Sequence, residues 1–223
     1  MTTRLAALLA AAVLAAAPAA AQEHGHDATS QHGFEDVEHW TSVFDAASRD
    51  EWQKPGPLVA ALELPPGGRV ADLGAGTGYL LGHLSRAVGA TGAVLAIDTE
   101  PRLVEHMRAR AEKEKLANVT PILGSADDPR IPHGSVDLVL ILDTFHHLND
   151  RLTYARRLKD ALRPGGRIAI IDWQKRELPV GPPPDHKLPR AHVVDEMREA
   201  GFELVAEPDL LPYQYFLIFR PAS

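Results

Sequence analysis

Apolar positions in this chain come in short blocks separated by polar turns. Arg69-Val70-Ala71-Asp72-Leu73 is entered through the turn Pro65-Pro66-Gly67-Gly68 and reads as a strand. Residues 79–88 set Leu80, Leu81, Leu84 and Val88 on one helical face. Residues 93–97 predict a second strand. Residues 101–116 predict a helix, with Pro101 at its start and Arg108, Glu112, Lys113 and Lys115 on its outer face. A third strand is expected at 119–123 and a fourth at 136–142. The fourth is almost wholly apolar, as suits a strand buried on both faces. Residues 151–162 follow as a helix closed by Arg163-Pro164-Gly165-Gly166, then a fifth strand at 167–171. A helix at 191–200 stops at Gly201, and strands at 202–206 and 213–219 complete the series.

Strand and helix alternating at this rhythm predict an α/β fold. The expected architecture is a doubly wound, seven-stranded, mostly parallel sheet with helices on both faces. Only residues 207–212 separate the last two strands, too few for a crossover helix. One strand is therefore expected to run antiparallel, at or near the sheet edge. Right-handed crossovers bring the loops after the parallel strands to one edge, where ligands of such sheets bind.

Ahead of this body the pattern changes. Arg4 precedes an uninterrupted apolar run, Leu5 to Ala17, broken by Pro18 and followed by Ala19-Ala20-Ala21. This is the plan of a secretory signal peptide, with cleavage expected between Ala21 and Gln22. The run is short of the ~20 residues a membrane span needs, and an uncleaved anchor is the alternative. The chain divides into a signal segment 1–21, a flexible stretch 22–50 and a domain 51–223. An exported, periplasmic or secreted protein is expected, without stable membrane insertion after cleavage. His24, His26, His32 and His39 fall in the flexible stretch at irregular spacing, which aligns them on no helix face and predicts no metal site.

Composition narrows the chemistry. The formal net charge is −7 and cysteine is absent. Thiolate nucleophiles, cysteine metal sites and disulfides are excluded. An acidic chain also lacks the basic footprint of a nucleic-acid binder.

The most informative stretch is Asp72-Leu73-Gly74-Ala75-Gly76-Thr77-Gly78-Tyr79, between the first strand and its helix. Alternate glycines let a backbone turn tightly and approach a ligand, and the helix start offers free N–H groups. A dinucleotide fingerprint needs Gly-x-Gly-x-x-Gly. Counted from Gly74 or from Gly76, the third glycine falls on Tyr79 or Leu81, which disfavours a nicotinamide-dependent oxidoreductase. Asp98, with Thr99 beside it, ends the second strand, where a carboxylate can accept ribose hydroxyls or cap the next helix.

Val70 to Tyr79 resembles the first motif of class I S-adenosylmethionine-dependent methyltransferases. Ala96-Ile97-Asp98, Asp137-Leu138-Val139-Leu140, His146-His147 and Leu162-Arg163-Pro164-Gly165-Gly166-Arg167 continue the resemblance over roughly residues 51–223. It is similar to the small single-domain group that includes quinone-biosynthesis methyltransferases. The resemblance implies a Rossmann-like fold, S-adenosyl-L-methionine as cofactor and a small-molecule acceptor. It implies cofactor contacts from Asp72, Gly74, Ala75, Gly76, Gly78, Asp98, Thr99 and Asp143. Where the family places an acidic adenine contact this chain has Ser125, so Ala126 and Asp127 become the candidates, with Asp128 as a substitute for Asp127 and a solvated turn ahead of Pro129 as the alternative for both aspartates. A non-catalytic exported nucleoside-binding protein on the same scaffold is the competing function.

Methyl transfer from a sulfonium leaves the protein to orient, desolvate and, for a protonated acceptor, remove a proton. His146 and His147 follow the fourth strand and are the candidate bases, with a packing role as the alternative. Trp52 and Gln53 are placed to close over the cofactor or simply to pack, and the proline-rich loop 173–189 is expected at the same edge.

Overall fold

The computed structural model describes residues 28–29 and 33–223. The expected signal segment 1–21 and His24, His26 and His32 lie outside the described residues. Seven strands form one sheet: β1 (Arg69–Leu73), β2 (Ala93–Asp98), β3 (Val119–Leu123), β4 (Val136–Leu142), β5 (Leu162–Trp173), β6 (Phe202–Ala206) and β7 (Gln214–Pro221). Their spatial order is β3-β2-β1-β4-β5-β7-β6. β7 is antiparallel to both β5 and β6, and the other strand pairs are parallel. The reversed strand is thus one place in from the edge, as the short connection before it predicts.

The order reverses between β1 and β4, so the loops leaving these two strands diverge and open a crevice. Helices cover both faces. α3 (Pro55–Ala61), α4 (Leu81–Val88) and α5 (Pro101–Lys113) bury Leu58, Leu62, Leu84 and Met107 against one face. α6 (Arg151–Ala161) and α7 (Arg190–Glu199) bury Tyr154, Leu158, Val193 and Met197 against the other. β5 begins earlier than the glycine pair suggests: residues 163–166 bulge between the Val136–Leu162 and Leu138–Arg167 pairs, and the strand resumes in register.

The expected linker gives way to structure before residue 50. Residues 37–50 contain α1 (Val37–Phe44) and the start of α2 (Arg49–Gln53). α1 buries no residue in the core; its aromatic face lies over the crevice instead. Asp36 caps it by accepting from the His39 N–H at 3.0 Å. Among the described residues no helix is long and apolar enough to cross a membrane.

Candidate functional site

The crevice is a cavity of about 730 Å³ at the C-terminal edge of the parallel strands. Its first half is built by the glycine loop. Gly74 has φ +74°, and a Cβ there would come within 2.3 Å of Thr144 Oγ1. Here glycine lets the loops after β1 and β4 close on each other. Gly76 has φ +57°, and its Cβ position faces the Phe44 ring at 3.6 Å across the cavity. The Gly76 N–H donates to Asp98 Oδ2 at 2.8 Å, and the Glu100 N–H to Oδ1 at 3.0 Å. Asp98 is therefore held rigid at the tip of β2. Burial raises its pKa and these backbone N–H groups oppose the rise.

Two further carboxylates face the same space. Asp72 is 3% exposed. Burial and the neighbouring Asp98 push it up to about 7 and Arg49 pulls it back, with no hydrogen bond contributing. Asp143 sits after β4 with φ +52°. Burial pushes it too up to about 7, against the pull of Arg49 and the Gln214 amide. Gln214 Nε2 donates to Asp143 Oδ1 at 2.6 Å, and Gln53 Nε2 donates to Gln214 Oε1 at 2.8 Å. This chain ties α2 to β7 and β4.

Arg49 is the only Lys or Arg among the described residues lining the cavity. Its guanidinium lies 4.2 Å from the Tyr79 ring centroid, 3.5 Å from Asp143 Oδ2 and within hydrogen-bonding distance of Gln53 Oε1. The N-terminal helices are also fastened to the glycine loop. Thr77 Oγ1 donates to Asp45 at 2.9 Å and the Tyr79 hydroxyl to Asp50 at 2.6 Å.

The second half lies beyond Asp143. His146 is 2% exposed and stands in a single 3₁₀ turn, Phe145–His147. Its Nδ1 is 2.8 Å from Oδ1 and 3.0 Å from Oδ2 of Asp172, and its backbone N–H also meets Asp172, at 3.2 Å. Asp172, at the end of β5, is 0% exposed. Burial disfavours charge on His146, but the Asp172 carboxylate outweighs it and leaves the histidine above its ordinary pKa. With Nδ1 turned to Asp172, Nε2 is the nitrogen left for a ligand. His147 lies with its ring 4.1 Å from that of His146 and meets the edge of Phe34 at 5.8 Å.

The structure brings most of the predicted residues together. Asp72, Gly74, Ala75, Gly76, Asp98, Thr99, Ala126, Asp143, His146 and His147 all line the cavity. Gly78 and Asp127 do not. At Gly78, φ is +81° and an added Cβ would meet Leu81 at 2.6 Å, so this glycine serves the entry into α4. Asp127 accepts from Ser125 Oγ at 2.8 Å on an exposed turn, a bond that also lowers its pKa. Ser125 itself faces the cavity. Trp52 lines the cavity as well, while Gln53 is buried behind it.

Asp172, Arg49 and the aromatic residues Phe34, Trp40 and Phe44 were not singled out from the sequence. Asp172 had a visible signal: an acid closing an apolar strand at the ligand-binding edge. Among the described residues no cluster of three or more His, Asp or Glu is arranged to hold a metal ion.

The donor set tests the expected ligand. A carboxylate fixed at a strand tip, a glycine-lined cradle, two carboxylates for a cation and one guanidinium for an anion match a nucleoside carrying an amino-acid tail. Sheet order, glycine loop and donors together suit a nucleoside-binding, Rossmann-like fold. Residues 70–166 match the family described as a methyltransferase domain. The chain is 36% identical over 113 residues to aklanonic acid methyltransferase DauC of Streptomyces sp. strain C5, covering 51% of each chain. It is 31% identical over 111 residues to demethylmenaquinone methyltransferase of Lactococcus lactis, covering 50% of this chain and 44% of that one. It thus spans about half the length of these curated relatives. A crystal structure of a SAM-dependent methyltransferase from Aquifex aeolicus superimposes with a TM-score of 0.79 at 28% identity, covering 85% of this chain and 98% of the other. The fold is Rossmann-like, and fold and relatives together imply S-adenosyl-L-methionine as cofactor.

Proposed function

We propose that this protein transfers a methyl group to a small-molecule acceptor that gives up a proton as it is methylated. The observation that carries this reading is the His146–Asp172 pair on the wall of the cavity, next to the glycine loop. Asp98 would hold the ribose hydroxyls of S-adenosylmethionine, Asp72 and Asp143 its ammonium group, and Arg49 its carboxylate. Ser125 and Ala126 border the adenine side. When bound, the cofactor supplies a methyl group on a positively charged sulfur and leaves as the neutral thioether.

His146 accepts the acceptor's proton at Nε2, while Asp172 holds Nδ1–H and fixes the tautomer. The positive charge lost at sulfur is regained on the imidazole, where the buried Asp172 carboxylate stabilises it. The lid formed by α1 and α2 excludes water from both halves. Relatives named for aklanonic acid and demethylmenaquinone support a small organic acceptor. Export belongs to the same reading, motivated by the run Leu5 to Ala21: the processed chain is expected to begin at or near Gln22.

Calorimetric titration with S-adenosylmethionine, S-adenosylhomocysteine and NAD tests the cofactor. Binding of the first two and not the third is expected; NAD binding alone sinks the proposal. An NMR titration of the histidine side chains tests the base. Asp172→Asn removes the counter-charge and keeps the burial, so the His146 pKa is expected to fall below that of wild type. N-terminal sequencing of fractionated cells tests export, and an unprocessed cytoplasmic chain starting at Met1 refutes it.

A further inference from the structure

The two halves of the cavity differ in chemistry, and the second says what it takes. We propose that the space beyond Asp143 binds an uncharged, flat aromatic compound and orients its hydroxyl group to His146. The inference rests on the reading of the first half as the cofactor's place.

The walls are the first argument. Phe34 stands edge-on to His147, and Trp40 lies 4.8 Å from Phe34 and is stacked on Phe44 at 5.0 Å. Trp173, the residue after the His146 partner, lines the cavity too. Gly181, with φ +86°, lies so close to the Trp173 indole that an added Cβ would come within 2.8 Å of the ring. This seats the proline loop flat on the tryptophan and directs Pro182 and Pro183 to the cavity. Rings and prolines lining one cavity favour a planar apolar ligand, since offset and edge contacts add to simple burial.

Charge is the second argument. The one guanidinium in the cavity, Arg49, is engaged by Gln53 and Asp143 in the first half. Among the described residues no Lys or Arg faces the second half, so an anionic acceptor would find only imidazoles there, one of them needed to take the acceptor's proton. The polar groups that do face the second half, His146, His147, Asn149 and His186, suit a neutral hydroxyl. A cavity of about 730 Å³ is in the upper part of the ~300–1,000 Å³ range of small-molecule sites, so a cofactor does not exhaust it.

The third argument is how this end is closed. The Thr29 N–H donates to the His146 carbonyl at 2.9 Å, and Thr29 Oγ1 donates to the His186 carbonyl at 2.7 Å. One residue therefore pins the turn that carries the base to the loop that carries the prolines. The two cavity walls that carry His146 and His186 are held at a fixed spacing, which suits a rigid ring over a flexible chain.

The test is calorimetry on protein saturated with S-adenosylhomocysteine, using three probes of one size: 2-naphthol, 2-naphthoate and the saturated alcohol 2-decalol. 2-Naphthol is expected to bind ~10-fold or more tightly than either of the others. Phe34→Ala and Trp40→Ala are expected to weaken 2-naphthol by ~10-fold, and Phe34→Ala, outside the lid helix, to leave S-adenosylhomocysteine affinity within about threefold. If S-adenosylhomocysteine does not bind, the cofactor reading fails and the inference falls with it. If it binds, the inference is overturned by any of three results. They are no 2-naphthol binding, naphthoate or decalol binding as well as naphthol, or naphthol binding that both variants leave unchanged.

Discussion

The two halves of the cavity are built in opposite ways. The cofactor half is built mainly on one stretch, Asp72 to Ala126, which visits the ends of β1, β2 and β3 in turn, and Arg49 and Asp143 complete it. Its glycine loop is fixed through backbone, as in Gly76 N–H to Asp98. The acceptor half is collected from the whole chain. Thr29 bonds a carbonyl 157 residues away, and His146, after β4, finds Asp172 at the end of β5. A half made of consecutive strand ends is a property of the fold; a half assembled from distant side chains is a property of this particular chain. On the proposed reading, the sheet edge confers the cofactor chemistry, and the N-terminal segment and the loop after β5 select the acceptor.

The sharpest way to break this division is at the base. His146→Ala is expected to lower turnover by ~10²–10⁴-fold while cofactor affinity stays near wild type, and Asp172→Asn to follow in the same direction. Turnover is measured on the hydroxyl compound selected by the binding test. If both variants turn over at the wild-type rate, the acceptor half has no proton-transfer role.

Next is the joint between the halves. Gly74→Ala forces a side chain into Thr144 at a φ of +74°, and is expected to destabilise the fold by about 2–4 kcal/mol in thermal or urea unfolding. Thr144→Gly in that background should recover the part due to collision but not the part due to backbone strain. Full stability in the single variant would show that the two loops are free to part.

A smaller effect is expected within the cofactor half. Asp98→Ala removes a charged hydrogen-bond acceptor worth about 1.5–3 kcal/mol, or ~10–100-fold in affinity for S-adenosylmethionine. Unchanged affinity by calorimetry would place the ribose elsewhere.

A pH dependence is expected as well. Asp72 and Asp143 are raised from 3.8 to about 7 in the folded protein. Across that interval the native state therefore holds more protons than the unfolded chain. Stability is present in full below about pH 4 from these groups and is lost as pH rises towards 7, by at most ~1.4 kcal/mol per pH unit for each. Asp72→Asn should flatten this slope. Both S-adenosylmethionine and S-adenosylhomocysteine carry the ammonium group assigned to these carboxylates, so the affinity of each should rise as the carboxylates ionise on going from pH 6 to 8. Affinities that do not change with pH would argue that neither carboxylate faces the ammonium group.

The contrast also explains what the sequence made legible. β1 to β4, with α5 and α6, follow from apolar periodicity because their side chains pack on the sheet, and the reversal of β7 follows from the short connection 207–212. α1 was invisible to the same reasoning. Its aromatic residues Trp40 and Phe44 face a cavity and not the core, so no core-facing stripe marks the helix. In the glycine loop, residue types that permit a backbone path can be read directly, and Gly74 and Gly76 line the cavity as that path requires. Asp127 misled because spacing alone does not say which residue of a turn points inward; the Ser125 side chain holds it outside by hydrogen bonding. Asp172 needed the β4–β5 pairing, in which Leu142 lies beside Ile171, to place it under His146.

One further feature has an optical consequence. The chain has three tryptophans, Trp40, Trp52 and Trp173, and all three line this single cavity. Trp40 belongs to the lid, Trp173 to the sheet edge, and Trp52, whose ring lies 5.4 Å from that of Trp173, to the helix between them. The ultraviolet emission of the unlabelled protein therefore comes from the walls of its own binding site. Each ligand that enters, and each movement of the lid, should register as a change in intensity or wavelength without any introduced dye, which makes this chain its own indicator for a search through candidate acceptors.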